Sequence, residues 1–226
     1  MYALKRVIRR FVRVIVKPAA LAVEFKLSPD LTGPVLSLVI FLISSMGMSW
    51  AKFTKTIEIG GTFIWSPTTS LIELSIYILE AASIILVTTM FLAIISRHKD
   101  LKTFALCSLY VLIPMSLGRL ASIPLIMMTG NIVVDYTTAT NTTMSEALFL
   151  ALNRWGRENW LLVLLINVSA NLVPSIWAML IQSLLAVRIL NVKGNAVFLI
   201  LAAWISIELV LIPIANAAAY GLKIMI

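Results

Sequence analysis

Four ionisable side chains interrupt otherwise apolar stretches of this chain: Glu73, Glu80, Arg119 and Glu208. Near the centre of a bilayer an unpaired charge costs at least about 2.5–3.5 kcal/mol, so each needs a counter-charge, a water or a proton. Asn167 and Asn171 add two carboxamides at i and i+4, on one helical face. Measured from the outer ends of their apolar runs, Glu80, Arg119, Asn171 and Glu208 fall at similar depth. The expected arrangement is a buried polar cluster of these four with Asn167 close by, and with Glu73 opening it toward the outer surface. Such a cluster has two uses. It can fix helix register through buried ion pairs and hydrogen bonds, or it can line a path for protons, ions or a lipid headgroup.

Other chemistries lack their residues. The single cysteine, Cys107, falls in an apolar run and reads as a small core residue, and the single histidine, His98, reads as a solvated loop residue. No internal disulfide can form, and a Cys/His zinc site lacks ligands. No nucleophile elbow, Walker or dinucleotide fingerprint is present. The expectation is a non-enzymatic protein with no metal and no cofactor.

The elements that must position the cluster are membrane spans. Hydrophobic residues make up 61% of the 226 and charged residues 12%, against about 45–50% and about 25% in soluble domains. Five apolar runs, at about 34–50, 69–96, 103–128, 160–188 and 195–220, are long enough to cross a hydrocarbon core of about 30 Å. The expected fold is thus an all-α polytopic membrane protein. Residues 1–33 form cytoplasmic basic amphipathic helices, and residues 34–226 form a five-span membrane domain. With the N-terminus inside, the inner segments hold 12 Lys and Arg and the outer segments 5, which places the N-terminus in the cytoplasm and the C-terminus outside. Asn141-Thr-Thr then falls in an outer loop as a glycosylation acceptor, whereas the sequon at Asn167 lies within a span.

The first 17 residues, MYALKRVIRRFVRVIVK, carry basic residues throughout and no separate apolar core with a cleavage site, unlike a signal peptide. On a helix Arg6, Arg9, Arg10, Arg13 and Lys17 make one stripe, and Leu4, Ile8, Phe11 and Ile15 another. Such a helix can lie on an anionic cytoplasmic leaflet, with each basic group contributing on the order of 1 kcal/mol. The same charges also serve simple positive-inside anchoring of the first span. A membrane face accounts for the charge without nucleic acid. Outside, FTKTIEIGGTFIW alternates about Gly60-Gly61 as a β-hairpin should, NIVVDYTT is β-rich enough to pair with it, and Ser145 can cap a helix over EALFLALNRW. A small extracytoplasmic β-hairpin cap is expected.

The entry to the first span reads SPDLTGPV. Pro34 suits a first helical turn, and Asp30, Thr32 and Gly33 suit the turn before it, so the segment makes a corner from surface helices into the membrane. The same segment resembles the Asp-Leu-x-Gly-Pro element of the YIP family, the Ypt/Rab-interacting membrane proteins, which stands at the entry to the first of five spans. KPAALAVEF, LKTFALCSLYVLIP and SIWAMLIQSLLAVRILNVKGNAVFLIL resemble the lead, the third span and the paired fourth and fifth spans of prokaryotic members. The resemblance implies five spans with a cytoplasmic N-terminus. It points to the prokaryotic-type branch, because the hydrophilic N-terminal region of Rab-binding relatives has no counterpart here. The function it suggests is organising or shaping membrane, or scaffolding partner membrane proteins, with anionic lipids, membrane proteins or a second copy as partners. The alternatives are a small transporter or lipid-handling protein working through the midplane cluster, and an accessory subunit of a larger membrane complex.

Overall fold

The computed structural model describes residues 2–59, 67–94, 100–135, 144–192, 195–207, 210 and 214. Two short helices, α1 (Tyr2–Val16) and α2 (Pro18–Leu27), precede α3 (Thr32–Phe53). After strand β1 (Thr56–Ile59) come α4 (Pro67–Ala93), α5 (Leu101–Ser108), a 3-10 turn at Leu109–Val111 and α6 (Leu112–Met128). Strand β2 (Ile132–Asp135), α7 (Met144–Glu158), α8 (Trp160–Asn167), a π turn at Val168–Leu172, α9 (Val173–Leu190) and α10 (Asn195–Ser206) follow. Among the described residues four continuous helices are long and apolar enough to cross a membrane: Thr32–Phe53, Ser70–Ala93, Leu101–Met128 and Trp160–Leu190. For the fifth expected span, α10 covers the first 12 residues. Its continuation lies largely outside the described residues.

Prolines account for the two irregular turns. Pro114 and Pro174 have no N–H for the carbonyl four residues back, and their rings crowd that carbonyl. The chain tightens to a 3-10 turn just before Pro114 and widens to a π turn just before Pro174. The π turn also lets two helices meet closely. A Cβ on Gly118 would stand 2.1 Å from Pro174 Cγ and 2.4 Å from the Ser169 carbonyl oxygen, so only glycine fits there.

Helices α3 and α6 run side by side in the same direction. Gly33 meets Tyr110, Ser45 meets Arg119 and Thr54 meets Met127 along the pair. Helix α3 therefore begins level with Tyr110, and α5 projects beyond it by about 12–14 Å at 1.5 Å per residue. Helices α1 and α2 fill the space around that projection. Phe11 and Phe25 pack edge-on against Tyr110 with ring centroids 5.9 and 6.0 Å away. Lys26 ties α2 to the end of the fourth span through the Ile189 carbonyl at 3.2 Å, and pairs with Asp100 at 2.9 Å. One apolar core joins these helices to the bundle, with Leu21, Phe25, Phe41, Phe104, Leu112 and Leu185 buried in it.

At the opposite end β1 and β2 pair in parallel, Thr56 opposite Ile132 and Ile59 opposite Asp135. The connection between them runs through the second and third spans. The second arm and turn of the expected hairpin lie outside the described residues, as does Asn141. Ile132 and Val134 bury one face of β2 against Ala151, Leu152 and Trp155 of α7. Trp155 Nε1 donates to the Gly130 carbonyl at 2.9 Å, locking α7 onto the sheet.

Candidate functional site

Arg119 sits on α6 among α3, α4 and α6, and is almost wholly buried. Its Nη2 donates to Glu80 Oε1 on α4 at 2.5 Å, and its Nη1 donates to Ser45 Oγ on α3. The guanidinium lies 4.2 Å from the centre of the Phe41 ring and 5.2 Å from that of Tyr77. A planar, weakly hydrated cation between two aromatic faces is the form in which a positive charge is least costly to bury. Nε alone is left without a partner. Tyr77 in turn hydrogen-bonds Ser49, and lies within electrostatic reach of Glu73, Glu80 and Arg119. Lys52, on the last turn of α3, stands within reach of both Glu73 and Arg119. The group of Lys52, Glu73, Glu80 and Arg119 is thus formally neutral.

The cluster expected from depth assembles in part. Glu80 and Arg119 come together, with Glu73 toward the β-strand end of the same helix. Asn167 and Asn171 do not join them: both are exposed on the outer side of the fourth span. Spacing at i and i+4 places two residues on one face but does not say which face. The contacts of Ser169 and Pro174 with Gly118 turn the asparagines outward. Glu208 lies outside the described residues. A separate buried network, centred on Gln182, joins three helices. Its Nε2 donates to Thr88 Oγ1 on α4 at 2.7 Å, and its Oε1 accepts from Trp204 Nε1 on α10 at 2.7 Å.

The second concentration of charge is at the amino-terminal end. Arg10, expected in a lipid-facing basic stripe, is fully buried instead. It donates from Nη1 to Asp30 Oδ2 at 2.5 Å, from Nη2 to the Ser28 carbonyl at 2.7 Å and from Nε to Glu24 Oε1 at 3.2 Å. Its ion lies 5.2 Å from the Phe25 ring centre. Burial works against this cation, but the oxygens of Tyr110, Asp30 and Glu24 outweigh it and hold its pKa above the ordinary value. The Tyr110 hydroxyl acts here by proximity, since it forms no hydrogen bond of ordinary geometry. Glu24 also accepts from Arg9 Nη2 at 2.8 Å and from Arg13 Nη1. Burial opposes its charge, yet the bonds from Arg9 and Arg10 bring its pKa below the ordinary carboxylate value.

Asp30 has a double role at the entry to α3. One oxygen takes Arg10 and the other accepts the Gly33 N–H at 3.3 Å, which is one of the helix's unpaired donors. Gly33 also packs closely on the third span: a Cβ there would come within 1.8 Å of the Tyr110 hydroxyl. Pro34 follows, buried, in the first turn. The Asp-Leu-Thr-Gly-Pro segment is therefore a joint between α1, α2, α3 and the third span.

No family model, curated protein or solved structure matches this chain.

Withdrawing Arg10 and engaging Arg9 and Arg13 leaves α1 with three faces instead of two. Val7, Arg10 and Val14 dock. Leu4, Ile8, Val12 and Val16 form an apolar stripe that is 61%, 53%, 55% and 65% exposed. Lys5, Arg6, Arg9 and Lys17 are exposed beside it. Glu24 and Tyr110, which organise this end, were not anticipated as site residues. The available signal was a lone acid on α2 opposite a basic helix. Among the described residues no cluster of His, Cys, Asp or Glu could hold a metal.

Proposed function

We propose that this chain is a five-span, YIP-like membrane protein that organises or shapes the bilayer without catalysis, with its N-terminus cytoplasmic and its C-terminus outside. The observation that carries the reading is α1: an exposed apolar stripe and an exposed basic edge on a helix fixed to the bundle by buried Arg10. A helix of this kind inserts its apolar side into the headgroup–acyl boundary while its lysines and arginines meet anionic headgroups. A free amphipathic helix can leave the membrane or reorient. One clamped to Asp30, Glu24 and Tyr110 at the level where α3 enters the membrane holds its depth, and adds area to a single leaflet.

Transport through the midplane cluster is less well supported. Arg119 is engaged by Glu80 and Ser45 and covered by Phe41 and Tyr77, which is the arrangement of a register pin. The deciding experiment reconstitutes purified protein into vesicles containing phosphatidylserine and images their shape by cryo-electron microscopy. Wild type should narrow or tubulate the vesicles, and Ile8→Asp/Val12→Asp should not, while keeping the same bundle stability. Vesicles unchanged by wild type, or deformed equally by the variant, would overturn the reading.

A further inference from the structure

Asn167 and Asn171 lie on the lipid-facing side of the fourth span, and no hydrogen bond joins either carboxamide to another described residue. Their depth is fixed by their neighbours. Ser169 and Pro174 press on Gly118, which adjoins Arg119 at the centre of the bundle. Asn171 is therefore at mid-depth, and Asn167 about one turn nearer the strand-bearing end. In hydrocarbon, a carboxamide with two N–H donors and one carbonyl acceptor has no water to satisfy it. Its surroundings are otherwise suited to lipid: Leu164, Leu172, Ile176 and Leu180 are exposed on the same span, and no charge occurs between Leu161 and Leu184. Two carboxamides at lipid-facing mid-depth need a partner that brings matching polar groups to that depth.

We infer that this face is the interface of a parallel homodimer, in which Asn167 and Asn171 of one copy hydrogen-bond to those of a second copy. The carboxamide is self-complementary, since each both donates and accepts. A two-fold axis along the membrane normal brings every residue opposite its own copy at its own depth, so the two asparagines match without any further adjustment. The face carries no charge, so like meets like without repulsion. The π turn at Val168–Leu172, which starts just after Asn167 and contains Asn171, widens the helix at the point of contact. This interface does not depend on the membrane-shaping activity of α1.

The test uses the full-length protein in lipid bilayers. In a Cys107→Ser background, Asn171→Cys should form an intermolecular disulfide on mild oxidation, and Leu86→Cys, on the exposed side of α4, should not. Separately, fluorescence energy transfer at varied protein-to-lipid ratio should give a dimer whose dissociation constant rises about 10- to 100-fold in Asn167→Leu/Asn171→Leu. Leucine suits a lipid-facing position, so that variant folds and inserts. The inference fails if wild type is monomeric at every ratio, or if the double variant dimerises as well as wild type. It fails equally if positions 86 and 171 cross-link alike, or if Asn171→Cys captures a different membrane polypeptide in place of its own copy.

Discussion

Replacing Arg10 with methionine tests the clamp directly, because methionine fills the buried space and removes only the charge and its hydrogen bonds. The Arg10 side chain is 0% exposed, and those of Glu24 and Asp30 are 14% and 23% exposed. Removing one member of a buried ion pair costs about 3–5 kcal/mol when the other is stranded. Here Glu24 keeps Arg9 and Arg13, and Asp30 keeps the Gly33 N–H and some water. The expected cost is therefore smaller, about 2–3 kcal/mol. It falls on the docking of α1 and not on the spans. Tryptic cleavage after Arg13, on α1, reports that docking, because cleavage requires local opening and follows its equilibrium population. The rate should rise about 30- to 150-fold in Arg10→Met. The Arg9 side chain is 55% exposed in its pair with Glu24, so Arg9→Met should change the rate less than about fivefold. Equal effects of the two variants would refute the clamp, and so would an unchanged rate in Arg10→Met.

Three further outcomes follow from the same contacts. Arg119→Leu strands Glu80 and should cost about 3–5 kcal/mol in unfolding by a denaturing detergent, whereas Arg119→Leu/Glu80→Leu should recover most of that loss. Gly33→Ala forces a Cβ against the Tyr110 ring end and should lower the thermal midpoint by an amount equivalent to about 1–3 kcal/mol. Adding Tyr110→Phe should relieve this only in part, because the ring Cζ would still be 2.7 Å from the new Cβ. The Glu24 carboxylate has a folded pKa below its ordinary value of 4.5, so its contribution is complete above that pH and is lost as pH falls through the folded value. A spin label at Val16→Cys should thus show constant mobility from about pH 8 to pH 5, then loosen in more acid solution. In Glu24→Gln this acid transition should be smaller.

Run length and depth were the legible quantities. The four long helices lie within a few residues of the apolar runs expected for them, since a bilayer demands about 20 apolar residues whatever the packing. Glu80 and Arg119 could be paired from sequence because both are rare charges at one depth on consecutive spans. Azimuth was not legible. Asn167 and Asn171 share a face and a depth with the cluster by spacing alone, but spacing does not say which way that face points, and the packing of Ser169 and Pro174 on Gly118 turns it outward. The α1 helix was split into two faces because a helical wheel carries no information about Glu24, Ser28 and Asp30, which lie in later turns of the chain and draw Arg10 inward. The pairing of β1 with β2 is separated by two spans, so local alternation pointed to two strands without giving their parallel direction.

The proposed membrane-shaping role requires α1 to lie in the membrane interface with its Leu4–Val16 stripe toward the acyl chains. In a Cys107→Ser background, an environment-sensitive fluorophore at Val12→Cys, in the full protein reconstituted with anionic lipid, measures this directly. Emission should be blue-shifted and quenched by brominated acyl chains, and a probe at Arg6→Cys should be quenched by aqueous iodide. Equal iodide quenching at both positions would place α1 in water and contradict it.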